Sequence, residues 1–393
     1  MSSPEDMPFP PADAFADVPL LRELQRVMLA GSGPVNWELA RQVGIAVASW
    51  SKPDPAPEER DREALEQTVR AAELAVADLT GLPAPQEVTR VQAVRRAEWV
   101  EANCRGLRGL FEPGAERLAA ALSDSDRPAD LGGSEQAQGL AAVMDRMVPL
   151  LMGAQVGVIL GTFGQRVLGQ YELPLPRTAQ PALLFVISNM AEFEQAWTLD
   201  PMEFRAWVAL HETTHAFDLA RPWTREYLLG LVRELAEGLE FDLTALEERL
   251  SGLDVSDPQR LSEALMQPGD LLAQSLTDEQ RLVLGRIQAF IAAAEGHADH
   301  VMAVVGKRML RSYPQIEEAM RRRHEERSRD ELMVEQLLGI ELKREQYRLG
   351  RVFCDTVVEQ TSEQILSKMW ESPEVLPSMP ELEEPRLWLA RIA

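Results

Sequence analysis

Residues 200–222 combine a strong helix-start signal with a segment rich in apolar side chains. Asp200 is a candidate N-cap residue, Pro201 suits the first helical position, and Glu203 completes a capping-box pattern. Arg221-Pro222 then marks the end of the segment. The sequence therefore predicts a helix of about five turns that begins near Pro201 and lies mostly in the core.

The same segment contains two histidines one helical turn apart, in the sequence His-Glu-Thr-Thr-His at residues 211–215. Positions i and i+4 share one helix face, so His211 and His215 can bind one zinc ion. Glu212 is then placed to act as general base toward a zinc-activated water. The alternatives are a pair of core histidines, which would need other buried partners, or an exposed helical pair in which Glu212 forms a salt bridge.

A catalytic zinc site usually needs a third protein ligand, and the residues directly after His215 do not provide it. The pattern with a third histidine requires Gly at 218 and His at 221, where this chain has Asp218 and Arg221. A glutamate from a later helix is the other common solution. The apolar segment Ala289–Met302 contains such a residue, Glu295.

Glu295 and Asp299 lie four residues apart and would share one face of an apolar helix near residues 279–305. Buried carboxylates require a counter-charge, and a zinc ion held by the two histidines supplies one. We therefore predict Glu295 as the third metal ligand. Asp299 is expected to orient His211 or His215 through a hydrogen bond.

His297 and His300 lie about 200° and 140° around this helix from Glu295, so neither is expected to bind the same metal. Local packing or capping is the simpler interpretation of both. His297 has an alternative interpretation as an electrophile that lines the cleft and stabilises the transition state. Tyr227 and Tyr347 are the other candidates for that role.

Several other segments accompany these residues along most of the chain: Arg95–Asn103, Val167–Tyr171, Phe204–Leu210, Glu295–Ala298, Gln346–Gly350 and the tail from Trp370 to Trp388. With them the chain resembles the uncharacterised zincin-like metallopeptidases of bacteria, which are described as zinc-dependent hydrolases. Actinobacterial members are sometimes labelled as associated with deazaflavin cofactor biosynthesis. The resemblance implies a mainly helical fold that differs from thermolysin outside the active-site helices, and it implies no particular substrate.

The resemblance also implies roles for individual residues: His211, Glu212 and His215 match the family motif directly, and Glu295 matches its remaining position. It implies one Zn²⁺ per chain. We predict a zinc-dependent metallohydrolase, specifically a metallopeptidase that cleaves a peptide or small amide with Glu212 as general base. The alternative is a zinc-binding scaffold or interaction protein with little or no peptidase activity, although a structural zinc needs no general base.

Helical periodicity dominates the chain, and the short apolar segment Leu183–Ile187 is the best strand candidate. We expect a mainly α fold with a small β element around a zincin-like, gluzincin-type helical catalytic core. Val91 and Val94 are assigned to a helix that continues to about Leu110. By analogy, Leu183–Ile187 is expected to be an edge strand that pairs with an extended substrate.

Three regions are expected along the chain. Residues 1–14 form a flexible leader, and residues 15–175 form a helical N-terminal region. Residues 176–393 form the zincin-like catalytic region, packed with the N-terminal region as one compact unit. The sequence does not define the oligomeric state.

The most apolar stretch, Val148–Gly164, contains Gly153, Gly157 and Gly161 at four-residue intervals. At about 17 residues it is short for a membrane span. We interpret it as a buried helix whose glycines let neighbouring helices approach closely.

Charge and cysteine content restrict the partners and the compartment. The chain has 40 Lys and Arg against 63 Asp and Glu, a net charge of −23, which disfavours binding to nucleic acid or to an anionic membrane. The locally basic segment Lys307–Arg351 is interpreted as a solvated helix face, because acidic residues interleave with the basic ones. Only two cysteines and an acidic N-terminus without a signal-peptide pattern predict a cytoplasmic location.

Overall fold

The computed structural model of the chain describes residues 33–50, 52–85, 90–124, 135–171, 182–238, 277–325 and 344–393. The predicted leader at residues 1–14 and the predicted boundary at 175–176 lie outside the described residues. The prediction of a mainly α fold with a small β element is confirmed. The elements are, in order, α1 Trp37–Ala48, α2 Glu59–Thr80, β1 Val91–Val94, α3 Arg96–Gly106, α4 Arg108–Asp124, α5 Glu135–Gly164, β2 Leu183–Val186, α6 Ile187–Trp197, α7 Pro201–Leu219, α8 Pro222–Glu237, α9 Asp278–Val301, a π-helical turn Met302–Gly306, α10 Lys307–Met309, α11 Tyr313–Glu325, α12 Arg344–Gln360, α13 Glu363–Ser367, a 3₁₀ turn Lys368–Trp370, α14 Met379–Glu383 and α15 Pro385–Ile392.

Helix α7 begins where its local signals predict. The Asp200 carboxylate accepts a hydrogen bond from the main-chain N–H of Glu203 at 3.0 Å, and Pro201 occupies the first turn. The reciprocal half of the capping box does not form, because the Glu203 carboxylate accepts hydrogen bonds from the main chain and the hydroxyl of Ser312. Glu203 therefore ties the start of α7 to the turn before α11.

Helix α9 has a complete capping box at its start. Thr277 Oγ1 accepts from the Gln280 N–H at 3.2 Å, and Gln280 Oε1 accepts from the Thr277 N–H at 2.7 Å. Its central residues 289–294 are all buried, and the chain continues through the π-helical turn to Gly306. The predicted helix near residues 279–305 is confirmed, and it packs against α7, α8 and α12.

The apolar stretch at 148–164 forms the second half of α5 and packs against α1. A Cβ at Gly157 would lie 2.6 Å from Ala40 O, and one at Gly161 would lie 2.7 Å from Gly44 O. These glycines therefore let the two helix backbones meet, as the buried-helix interpretation predicts. Within the described ranges, no helix combines the length and the apolar character needed to cross a bilayer.

Strands β1 and β2 form a two-stranded parallel sheet. Val91 pairs with Leu183 and Val94 pairs with Val186. The assignment of Val91 and Val94 to a helix is therefore wrong, since α3 begins only at Arg96. The spacing of the two valines fits more than one kind of element, and pairing with the distant strand β2 decides between them.

Strand β2 has neighbours on both sides at Phe185 and Val186. β1 pairs with one side of it. On the other side, the Val186 N–H donates to Leu168 O at 3.0 Å, and Gly169 forms an antiparallel bridge with Phe185. An extended substrate therefore cannot pair with β2 at Phe185 and Val186, because residues 168–169 occupy the second edge there.

One hydrophobic core contains residues on both sides of the predicted region boundary. Its completely buried members include Val100 from the first region and Phe204, Phe290 and Phe353 from the second. Helices α7 and α9 lie within this core, so polar side chains on their inner faces need partners there.

Candidate metal centre

The structure brings together the three residues that the sequence predicts as metal ligands. His211 and His215 share one face of α7, and α9 carries Glu295 to the same point. One ligand atom from each residue lies within 4.8 Å of the other two. His215 Nε2 and Glu295 Oε1 are 3.8 Å apart. The centroids of the two imidazole rings are 4.6 Å apart, with an interplanar angle of 86°. We call these three residues the ligand triad.

The state of His215 fits a metal ligand. Its side chain is completely buried, and neither ring nitrogen has a hydrogen-bond partner in the described part of the chain. Burial, with smaller contributions from His211 and His297, holds the pKa of His215 well below its ordinary value. The imidazole is therefore neutral and offers a lone pair, which is the form that binds a metal ion.

His211 is held by an aromatic stacking contact. Trp207 lies one turn earlier on α7, and its indole is parallel to the imidazole, with an interplanar angle of 6° and ring centroids 5.6 Å apart. Trp207 is itself buried, which restricts its own movement. The stack therefore limits the rotation of the His211 ring.

Glu212 is oriented by the main chain of residues 169–171. The Tyr171 N–H donates a hydrogen bond to Glu212 Oε2 at 2.6 Å. A Cβ at Gly169 would overlap the Glu212 carboxyl group, so only glycine leaves room for this arrangement. The Trp99 indole N–H in turn donates to Gly169 O at 3.0 Å. Glu212 is thus buried, with 1% of its surface exposed, in a defined orientation beside the two histidines.

Two imidazoles and one carboxylate are the donor set of one class of catalytic zinc site. A model of the zincin-like metallopeptidase family matches residues 35–389 of the chain. The chain belongs to this family. Family membership and the ligand triad together support a metallohydrolase with a zincin-like, mainly α fold.

A solved structure gives a second comparison. The chain is similar to a candidate hydrolase with a novel fold from Chloroflexus aurantiacus, with 32% sequence identity and a TM-score of 0.64. The similarity covers 91% of this chain and 98% of that chain. No curated protein matches the chain. Neither the family description nor the structural relative mentions a deazaflavin cofactor.

In this zincin-like protein, Asp299 does not orient the two histidines of the ligand triad. It makes no hydrogen bond to either of them among the described residues, and its charged neighbours are Arg351, Glu317 and Asp355. Its side chain is exposed to solvent, so Asp299 is not a buried carboxylate that needs the metal ion as a counter-charge. Four residues advance α9 by about 6 Å beyond Glu295, which places Asp299 beside α12 instead of α7.

The buried carboxylate that does pair with a histidine near the triad is Asp218. Its Oδ2 and Oδ1 atoms lie 3.0 and 2.9 Å from His297 Nδ1, and both side chains are completely buried. Burial raises the pKa of Asp218, and His297 opposes this effect. Trp370 packs against the imidazole with ring centroids 6.0 Å apart. His297 is therefore inside the protein, and this position does not support its interpretation as an electrophile that lines the cleft.

His300 has the local packing role that the sequence predicts for it. Its Nδ1 lies 2.6 Å from Asp355 Oδ1, and its Nε2 lies 3.0 Å from Glu363 Oε1. Burial lowers the pKa of His300, but the hydrogen bonds with Glu363 and Asp355 outweigh burial and raise it. His300 therefore connects α9 to both α12 and α13.

The two tyrosines considered as transition-state stabilisers have different outcomes. The Tyr227 ring packs 5.8 Å from Trp223 and 6.3 Å from Phe290, and the Arg286 guanidinium lies 5.5 Å from its centre. None of these contacts joins Tyr227 to the ligand triad within the described ranges. Tyr347 belongs to α12, but its side chain lies outside the described residues, so its role stays a prediction.

Two parts of the site were not predicted as functional from the sequence. The segment Val167–Tyr171 was noted only as part of the family resemblance, and its glycine between apolar and aromatic residues is a weak signal. Asp218 was noted only because it stands where the pattern with a third histidine requires glycine. Its signal is a carboxylate three residues after His215, on the same face of an apolar helix.

Proposed function

We propose that this metallohydrolase is a zinc-dependent metallopeptidase that cleaves amide bonds in peptides or small amides. The observation that carries the proposal is the convergence of the ligand triad beside a buried, oriented Glu212. A structural zinc site is usually closed by four protein ligands, whereas three ligands with an adjacent carboxylate are typical of catalysis.

The ligand triad would hold one zinc ion per chain. His211 and His215 contribute imidazoles whose orientation is limited by stacking and by burial, and Glu295 contributes a carboxylate that balances part of the charge. A zinc ion in such a site supplies a Lewis acid for the carbonyl oxygen and lowers the pKa of water.

Glu212 acts as the general base and then as the general acid. Its carboxylate accepts the proton of the attacking water and delivers it to the nitrogen of the leaving amine. The hydrogen bond from the Tyr171 N–H keeps one carboxylate oxygen fixed while the proton is transferred. Gly169, which has no side chain, leaves the space that the carboxyl group occupies in this orientation.

We also propose that the protein works in the cytoplasm, without nucleic-acid or membrane partners. Cys104 and Cys354 are both free and buried, which suits a compartment where thiols stay reduced. The net charge of −23 opposes binding to a phosphate backbone.

The test uses the purified full chain. We expect one zinc per chain, and cleavage of a mixed peptide library that stops with a chelator and returns when zinc is added. Zinc binding without cleavage of any peptide would favour the scaffold alternative. A chain that does not retain stoichiometric zinc would contradict the metal site itself.

A further inference from the structure

We propose that Asp218 and His297 are positioning residues, and that their hydrogen bond clamps α7 and α9 in the register that assembles the ligand triad. This inference rests on the proposed metal site. It assigns a function to a buried pair that neither binds the metal nor takes part in proton transfer.

The clamp crosses the same helix interface as the metal ligands. Asp218 follows His215 by three residues on α7, and His297 follows Glu295 by two residues on α9. These offsets correspond to about 4.5 Å and about 3 Å along the two helix axes. The bond is therefore less than one turn from a ligand on each helix. It can hold the two helices, and with them the ligands, in one relative position.

His215 and Glu295 are not hydrogen-bonded to each other. His215 Nε2 and Glu295 Oε1 are 3.8 Å apart, which is too far for a hydrogen bond, and His215 has no other hydrogen-bond partner in the described part of the chain. The Asp218 and His297 contacts at 2.9–3.0 Å are within hydrogen-bond distance. The clamp is thus a directional link between α7 and α9 close to the ligands.

Complete burial makes the clamp sensitive to register. Apolar contacts between helices are non-directional and tolerate a small slide. A slide by one residue, about 1.5 Å along an axis, would lengthen or misalign this bond while both of its groups stay buried. His297 also has little freedom to follow, because Trp370 packs on its ring and is held by the Trp223 indole N–H, which donates to Trp370 O at 3.1 Å.

The test compares Asp218→Asn with a matched control, Asp61→Asn. Asp61 on α2 also pairs with α7, because it accepts a hydrogen bond from Arg205 at 2.9 Å. Arg205 lies in the N-terminal half of α7, before the histidines of the triad. Zinc affinity is measured by competition with a chelator on protein that circular dichroism shows to be folded. Thermal stability is measured separately in the presence of EDTA.

Asp218→Asn should weaken zinc binding by roughly 10–100-fold, the range for residues that orient metal ligands indirectly. Asp61→Asn should lower the melting temperature without changing zinc affinity. A merely structural role for Asp218 would lower the melting temperature of the zinc-free protein and leave the zinc affinity of the folded protein at the wild-type value. That result would overturn the clamp, as would an equal loss of affinity in the control.

A second pair of variants covers the case in which Asp218→Asn does not fold. His297→Gln keeps an amide donor that can reach Asp218, whereas His297→Leu removes the donor at similar size. We expect His297→Gln to retain more zinc affinity than His297→Leu, and equal affinities would contradict the clamp. Wild-type protein that binds no zinc would overturn the proposed function and the clamp together, whereas wild-type binding with unaffected variants would overturn the clamp alone.

Discussion

The main-chain N–H of Tyr171 donates a 2.6 Å hydrogen bond to Oε2 of Glu212, and this bond connects the proposed general base to the edge of the sheet. Residues 168 and 169 pair with β2, so the register of the sheet also sets where the Glu212 carboxylate lies. The two-stranded sheet that the described residues form therefore contributes directly to the geometry of the site.

Gly169→Ala should reduce hydrolysis without releasing zinc. The new Cβ would overlap the Glu212 carboxyl group, which would have to leave its bond with Tyr171. A displacement of about 1 Å costs an active site roughly 10²-fold in rate. Measurements of kcat/KM and of zinc content separate the two effects. Gly230→Ala on α8 is the control, because no atom lies within 4 Å of a Cβ there. A wild-type value of kcat/KM in Gly169→Ala would contradict the proposed positioning of Glu212.

Gly350→Ala should destabilise the protein by about 1–3 kcal/mol, the usual range for overpacking. A Cβ on Gly350 would overlap Ala292 O, and one on Gly296 would overlap the main chain of Gly350. Both obstacles are backbone atoms, so α9 and α12 would have to separate. The free energy of unfolding in urea measures the effect. The control is Gly285→Ala in α9, which has open space around its Cβ and should be neutral or stabilising. Equal losses of unfolding free energy in both variants would contradict the close crossing of α9 and α12.

The elements that short-range interactions define could be predicted from the sequence. The cap at Asp200 and the proline after it determine the start of α7, and the spacing of His211 and His215 follows from helix geometry alone. Glu295 was predictable because a carboxylate on an apolar helix needs a counter-charge.

The features that depend on distant pairing could not be predicted in this way. Val91–Val94 is a strand only because β2 pairs with it, and the partnership of Asp218 with His297 requires two helices to cross. Helical periodicity predicts the face of α9 on which Asp299 lies. It does not predict where along α9 the neighbouring helix changes from α7 to α12. For that reason the predicted role of Asp299 is wrong although the neighbouring assignment of Glu295 as a ligand stays consistent with the structure.

His300 should stabilise the protein in acid and lose this contribution as the pH rises. Burial lowers its pKa, but the hydrogen bonds with Glu363 and Asp355 raise the folded-state value above the ordinary 6.5. The folded protein therefore binds this proton more tightly than the unfolded chain, and the gain is full below about pH 6.5 and disappears as the pH passes the folded-state pKa. The difference in unfolding free energy between wild type and His300→Gln should shrink over the interval that begins near pH 6.5 and extends upward. A difference that grows over this interval would show that the sign is wrong.

Glu295→Ala should weaken zinc binding and hydrolysis together, because it removes one of three protein ligands. Asp299→Ala removes a carboxylate one turn further along the same helix, where Arg351 is the nearest opposite charge acting on it. This variant should keep both properties. Chelator competition and peptide hydrolysis are measured on both proteins, and an equal loss of zinc in Asp299→Ala would mean that the third ligand is assigned wrongly.

The rate of peptide hydrolysis by zinc-loaded Glu212→Gln tests the central claim most directly. Glutamine keeps the shape of the side chain and can still accept the hydrogen bond from Tyr171, but it cannot accept the proton of the attacking water. Zinc should therefore stay bound at the wild-type stoichiometry while the rate falls by roughly 10²–10⁴-fold, the usual contribution of a general base. A Glu212→Gln protein that retains zinc and cleaves the substrate at the wild-type rate would contradict the proposed mechanism.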